Sequence, residues 1–130
     1  MNNPCQAAAV VYVKDLRAMS RFYAEAVGLQ VVEEAPGHVV LESSGFQLVL
    51  VAMPEHIAQQ VHIATPPVRR EETPIKLCFF VPGIAAVRER ALACGGEMNA
   101  AQREWVFQGH RVCDGHDPEG NVLQVRGPVR

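Results

Sequence analysis

Residues 7–13, Ala-Ala-Ala-Val-Val-Tyr-Val, make an unbroken β-forming run, and Asp15 just behind it has the side chain of a helix N-cap. Leu16, Met19, Tyr23 and Val27 then recur at helical spacing. Phe22 and Ala26 widen that stripe, and Gly28 stands where a helix favours glycine just past its end. Three more β-type stretches follow at 29–34, 38–43 and 46–53, parted by Pro36-Gly37 and Ser44-Gly45 turns. The first half therefore predicts a strand, a helix and three strands.

The pattern lapses at 54–73. Pro54, Pro66 and Pro67, with His56, His62 and the mixed-charge run 69–72, predict a linker or flap, with room for a short helix at 55–61. It resumes with a strand at 75–81, a Pro82-Gly83 break, and a helix marked by Ile84, Val87, Ala91 and Leu92 that stops at Gly95-Gly96. A strand with an irregular start is expected over 97–107, another over 110–115, and a last one over 122–125. Asp117-Pro118-Glu119-Gly120-Asn121 supplies the turn before that last strand, Asp-Pro opening it and Gly-Asn offering the positive-φ positions.

The second half repeats the first. Val11 and Phe79, Val13 and Val81, Leu16 and Ile84, Met19 and Val87, and Gly28 and Gly96 each stand 68 positions apart. In the final strands Leu48 and Leu123, and Val49 and Gln124, stand 75 apart. The expectation is one α+β domain over 1–130, built from tandem βαβββ modules at approximately 6–53 and 74–128 with 54–73 as linker. Neither module is large enough to bury its own sheet face, so the two should share one core.

Composition narrows the class. The chain has 130 residues, 48% hydrophobic and 20% charged, which suits a folded domain and argues against disorder. A formal net charge of −2 makes no electrostatic case for nucleic acid or an anionic membrane. No apolar run approaches the roughly 18 residues of a membrane span. Residues 1–6 lack the basic region that precedes a signal-peptide core, so a cytoplasmic protein is expected. The 4 cysteines show no CxxC spacing and read as free thiols. Cys78 and Cys94 fall in apolar patterns that suit small core residues, whereas Cys113 sits in a polar segment.

Candidate chemistry gathers in two places. His110, Cys113, Asp114, His116 and Asp117 form the densest cluster of ligating types, and strand alternation puts His110, Asp114 and His116 on one face. That suits a divalent metal site or a His/Asp acid–base pair, or else a solvated strand end. Lys76, Cys78 and Phe80 share a face of the preceding strand. Lys76 there is either an anion-binding or basic group, or a rim lysine whose head reaches water. Trp105, the only tryptophan, is either a pocket wall or a cap on the core.

Three segments give the chain a family likeness. Val11-Tyr12-Val13-Lys14-Asp15-Leu16 leading to Phe22-Tyr23 and Val27-Gly28-Leu29, the 77–81 strand with its helix, and Asp117-Pro118-Glu119-Gly120-Asn121 resemble the vicinal oxygen chelate superfamily. That superfamily includes glyoxalase I, bleomycin resistance proteins and extradiol dioxygenases. The resemblance implies a curved, cup-shaped mixed sheet, with metal ligands on the first and last strand of each module. Carried over residue by residue, those places fall on Ala8, Val49, Lys76 and Gln124. Alkyl side chains bind no metal, a lysine brings positive charge, and one amide holds an ion weakly.

The implied function is a metal-independent small-molecule-binding protein, without a cofactor and with the homodimeric habit of the bleomycin resistance group. Ala8, Tyr12, Val49, Lys76, Phe80, Trp105 and Gln124 would line the cup, joined by Val10 and Arg126. Two alternatives stay open. One is a glyoxalase- or dioxygenase-type lyase or oxidoreductase holding a divalent metal at His110, Asp114 and His116. The other is a metal-free enzyme using Lys76 or Tyr12 as acid or base.

Overall fold

A computed structural model of the chain describes residues 5–129; residues 1–4, part of the stretch read above for a leader, lie outside it. β1 (Ala7–Val13) runs into Asp15, whose carboxylate accepts the Ala18 amide at 3.0 Å and starts α1. α1 opens as an α-helix over Leu16–Arg21 and continues as a π-helix over Phe22–Val27. There the Gly28 amide reaches back to the Tyr23 carbonyl, and Gly28 takes the left-handed φ of 94° that ends the helix. Phe22, Tyr23, Ala26 and Val27 are all buried in this segment. β2 (Gln30–Ala35), β3 (His38–Ser43) and β4 (Phe46–Ala52) complete the module in the order β1-β4-β3-β2, with β1 parallel to β4.

The linker holds only one short helix, α2 (Glu55–Ala58). The second module has β5 (Leu77–Phe80), α3 (Ile84–Ala93), β6 (Glu97–Met98), β7 (Trp105–Phe107), β8 (His110–His116) and β9 (Val122–Gly127). Its sheet runs β5-β9-β8-β6, with β7 also on β8. The ladders repeat as the sequence does: Ala9 faces Leu48 in the first sheet and Leu77 faces Leu123 in the second, again 68 and 75 residues on. Among the described residues no helix is long and apolar enough to cross a membrane.

The strand expected over 97–107 is interrupted. Met98 pairs with Gly115 and Trp105 with Val112, so seven steps of chain lie against three steps of β8 and the excess is thrown outward. A short 3-10 turn at Ala101–Arg103 carries the excursion. Arg88 of α3 holds its two ends, donating from Nε to the Asn99 carbonyl at 2.8 Å and from its guanidinium to the Glu104 carboxylate. Gly115 lets β6 come close, since a Cβ there would lie 2.4 Å from Met98 Sδ.

One core joins the modules. Val13, Leu48 and Leu50 from the first sheet and Phe79, Leu123 and Val125 from the second belong to a single buried cluster. The π-helical half of α1 packs on α3, and Tyr23 and Phe46 both meet the Phe79 ring, with centroids 5.8 and 5.9 Å apart. Cys94 is buried as expected, but Cys78 is not a core residue: strand alternation turns Phe79 inward and leaves Cys78 exposed on the outer face.

The turn after β8 locks this packing. Asp117 is fully buried, accepts the Tyr23 hydroxyl at 2.8 Å through Oδ2, and accepts the amides of Glu119 and Asn121 at 2.9 and 3.0 Å through Oδ1. Glu119 reaches the other way and accepts the backbone amides of Lys14 and Asp15 at 2.8 and 2.6 Å. The second module's last turn thereby binds the first module's strand–helix junction. Burial pushes the Asp117 carboxyl above its ordinary range, and burial together with the adjacent Asp117 charge pushes the Tyr23 phenol well above 10.0.

Tyr23→Phe should cost about 1–2 kcal/mol at pH 7 in urea unfolding, and Asp117→Ala about 3 kcal/mol or more because it strands several donors. The folded Tyr23 pKa lies above its unfolded value, so the wild-type advantage from this phenol is whole below about pH 10 and fades as pH rises through the folded pKa. The gap between wild type and Tyr23→Phe should therefore narrow in strong alkali.

Candidate functional site

Alternation along the strands decides which side chains leave the core. In the second sheet Phe79, Leu123 and Val125 point inward, so Cys78, Phe80, Gln124 and Arg126 stand on the outer face. Residues paired with these across the ladder, Val112 with Arg126 and Asp114 with Gln124, join the same face from β8. Trp105 and Phe107 of β7 follow, opposite Val112 and His110.

A file of polar contacts crosses this face. Lys76 Nζ donates to Asp114 Oδ2 at 2.7 Å, and Gln124 Nε2 donates to Asp114 Oδ1 at 3.0 Å. Gln124 Oε1 accepts from Arg126 Nε at 2.8 Å and from the Cys78 thiol at 3.4 Å. The Arg126 guanidinium lies over the rings of Phe107 and Phe80 at 5.2 and 5.8 Å, and His110 meets Phe80 edge-on at 5.0 Å. Around the file Phe80 (66%), Phe107 (46%) and Trp105 (41%) are exposed. Trp105 is thus a wall of this face, not a cap on the core.

Lys76 and Gln124 come together through Asp114, with Phe80 and Trp105 beside them. Ala8, Tyr12 and Val49 lie on the outer face of the other sheet, where Val10 pairs with Val49 and Tyr12 with Val51. Those three come from the first sheet and form a second group of anticipated residues beside the Lys76–Gln124 group of the second sheet.

A pocket of about 210 Å³ closes the Lys76 end of the file, with Arg69, Glu71 and Arg103 brought in from the linker and the 99–104 excursion. A roomier one of about 590 Å³ lies between the start of α1 and the linker. Its buried carboxylate, Glu119, is already committed to the Lys14 and Asp15 amides. Arg69 and Arg103 escaped sequence reasoning because they sit in irregular segments with no period to follow. Phe107 was legible in the alternation of 105–107 but lay inside a strand of uncertain start.

His110, Asp114 and His116 share a face of β8 without forming a metal centre. Four strand steps, about 13 Å, separate His110 from Asp114. His116 is buried with Nδ1 against the Asp117 carbonyl at 3.0 Å, and Asp114 is held by Lys76 and Gln124. Among the described residues no group of three His, Cys, Asp or Glu side chains is placed to hold an ion. Cys113 faces the core, where its thiol contacts the Asn99 carbonyl at 3.3 Å and burial pushes its pKa up, the wrong direction for a nucleophile.

The model of a family described as a glyoxalase-like domain matches residues 8–126. No curated protein matches the chain. Among solved structures, a glyoxalase-related enzyme from Fulvimarina pelagi is 22% identical, with 93% of this chain and 86% of that one aligned at a TM-score of 0.66. The bleomycin resistance determinant encoded on transposon Tn5 is 16% identical over 98% of this chain and 100% of its own, at 0.61. TnmS3, an antibiotic binding protein from Streptomyces sp. CB03234, is 22% identical over 97% and 96%, at 0.62. At these identities the likeness establishes a common fold.

The file should be unequal in its contribution to stability. Lys76→Met removes a partly exposed ion pair and should shift unfolding by less than about 1 kcal/mol. Gln124→Ala removes the buried bridge between Asp114 and Arg126 and should cost about 1–3 kcal/mol in the same urea titration.

Proposed function

Since the chain belongs to the glyoxalase-like domain family, within the vicinal oxygen chelate superfamily, we propose that it binds a small organic molecule on the outer face of its second sheet without a catalytic metal. The observation that carries this is the polar file of Lys76, Asp114, Gln124 and Arg126 set among exposed aromatic rings. Apolar area fixes a flat ligand and a few convergent polar groups orient it. Aromatic side chains left in water at this density mark a surface with an occupant.

The donor set does not fit a divalent ion. The family's ligand places carry Ala8, Val49, Lys76 and Gln124, and a metal at the last two would sit against the lysine ammonium. The one carboxylate nearby, Asp114, is already neutralised by that lysine. Two structural neighbours described as a bleomycin resistance determinant and an antibiotic binding protein lend support by analogy. Four unpaired thiols suit a reducing cytoplasm, where we place the protein.

A homodimer is the second part of the proposal. The outer face of the first sheet exposes Val10 and Tyr12, a small apolar surface. A second copy that set this face opposite its partner's Phe80–Trp105 face would bring the two groups of anticipated residues into one cup.

Elemental analysis of untagged protein, purified without added metal or chelator, should find no stoichiometric divalent ion. Nickel, zinc, manganese and iron(II) should leave the melting temperature unchanged, whereas a bleomycin and aromatic-compound panel should contain stabilising members. One tightly held ion per chain would overturn the metal-free proposal and favour the lyase or oxidoreductase alternative. Light scattering should give twice the chain mass, and Tyr12→Asp should shift the population toward monomer.

A further inference from the structure

The pocket at the Lys76 end has the build of a receptor for one negative charge. Arg70 bridges Asn121 and Leu77 pairs with Leu123, so seven steps of chain span the two steps from Asn121 into β9 and residues 71–76 bulge outward. Facing that bulge is the 99–104 excursion, and between them Arg69, Glu71, Lys76, Asn99, Arg103 and Asp114 enclose about 210 Å³.

Arg69 is already oriented. Its guanidinium donates to Asn99 Oδ1 at 2.7 Å and to the Glu97 carbonyl at 3.5 Å. A guanidinium has five N–H donors, so about three remain free. Among the described residues neither Arg69 nor Arg103 forms an ion pair. Three cationic side chains against two carboxylates, Glu71 and Asp114, leave the lining at a net charge of +1. Lys76 and Gln124 each donate to one oxygen of Asp114, and the lysine offsets its charge.

We propose that this pocket receives the carboxylate of an aromatic acid whose ring lies along the adjoining face toward Trp105. The inference rests on the binding face proposed above and names the class of ligand it takes. A monoanion matches the net charge of the lining, whereas a phosphate dianion would add a second negative charge beside Glu71. A planar carboxylate suits the guanidinium fork of Arg69. The ring position follows from the ladder: Trp105 pairs with Val112, two residues and so about 7 Å along β8 from Asp114.

Calorimetric titration with mono- and bicyclic aromatic carboxylic acids, each beside its neutral carboxamide, tests this. The acids should bind about ten-fold or more tightly than their amides, and added salt should erode that preference. Arg103→Gln and Arg69→Gln should each weaken acid binding several-fold while leaving the amides as they were, with circular dichroism confirming the fold. Equal affinity of acid and amide, or an equal effect of the arginine variants on both, would refute the anion pocket and leave the binding face standing. Failure of every acid and amide at millimolar concentration would remove both.

Discussion

Two buried carboxylates in one turn hold this molecule together. Asp117 and Glu119 sit in a five-residue turn of the second module, yet between them they bind a tyrosine hydroxyl in α1 and the backbone amides that open that helix. Burying a carboxylate is costly unless its oxygens are satisfied, and here every oxygen has a donor and three of the four have two or more. A hydrophobic core alone would let the two modules slide over one another, because apolar contact has no direction. These hydrogen bonds are directional, and they fix one relative placement.

That placement has consequences for the surface. Gly120, in the same turn, has a φ of 84° and lets the linker pass so near that a Cβ would lie 2.1 Å from the Val68 carbonyl. Arg70 donates its amide to the Gly120 carbonyl at 2.7 Å, which ties the linker down just before it bulges over the Lys76 pocket. The turn that joins the modules thus also sets the wall of the polar pocket. Structure and candidate chemistry meet at residues 117–121.

The outer face of the second sheet shows how strand alternation sets surface chemistry on a shared fold. Strand alternation still delivers side chains from first and last strands to one surface, whatever those side chains are. In the second module they are Cys78, Gln124 and Arg126, with Lys76 just before the strand, and they bond to one another and to Asp114. The resulting surface is aromatic and polar, with the positive charge of Arg126 spread over Phe80 and Phe107.

Local rules were enough to read much of this from the chain. The β-forming runs, the Asp15 cap, the Gly28 stop and the 68- and 75-residue offsets all follow from short-range propensity and period, and the ladders keep those offsets. Parity put Lys76, Cys78 and Phe80 on one face. Parity also put His110, Asp114 and His116 on one face, but His110 stands about 13 Å from Asp114 along the strand, and Asp114 and His116 are engaged with other partners. Only the tertiary structure decided that Cys113 is a core residue and that 97–107 breaks at an excursion pinned by Arg88. Each of these depends on contacts between residues far apart in the chain. Propensity and period are local properties, whereas the convergence of Arg69, Lys76, Arg103 and Asp114 exists only once two modules, a linker and a turn have packed against one another.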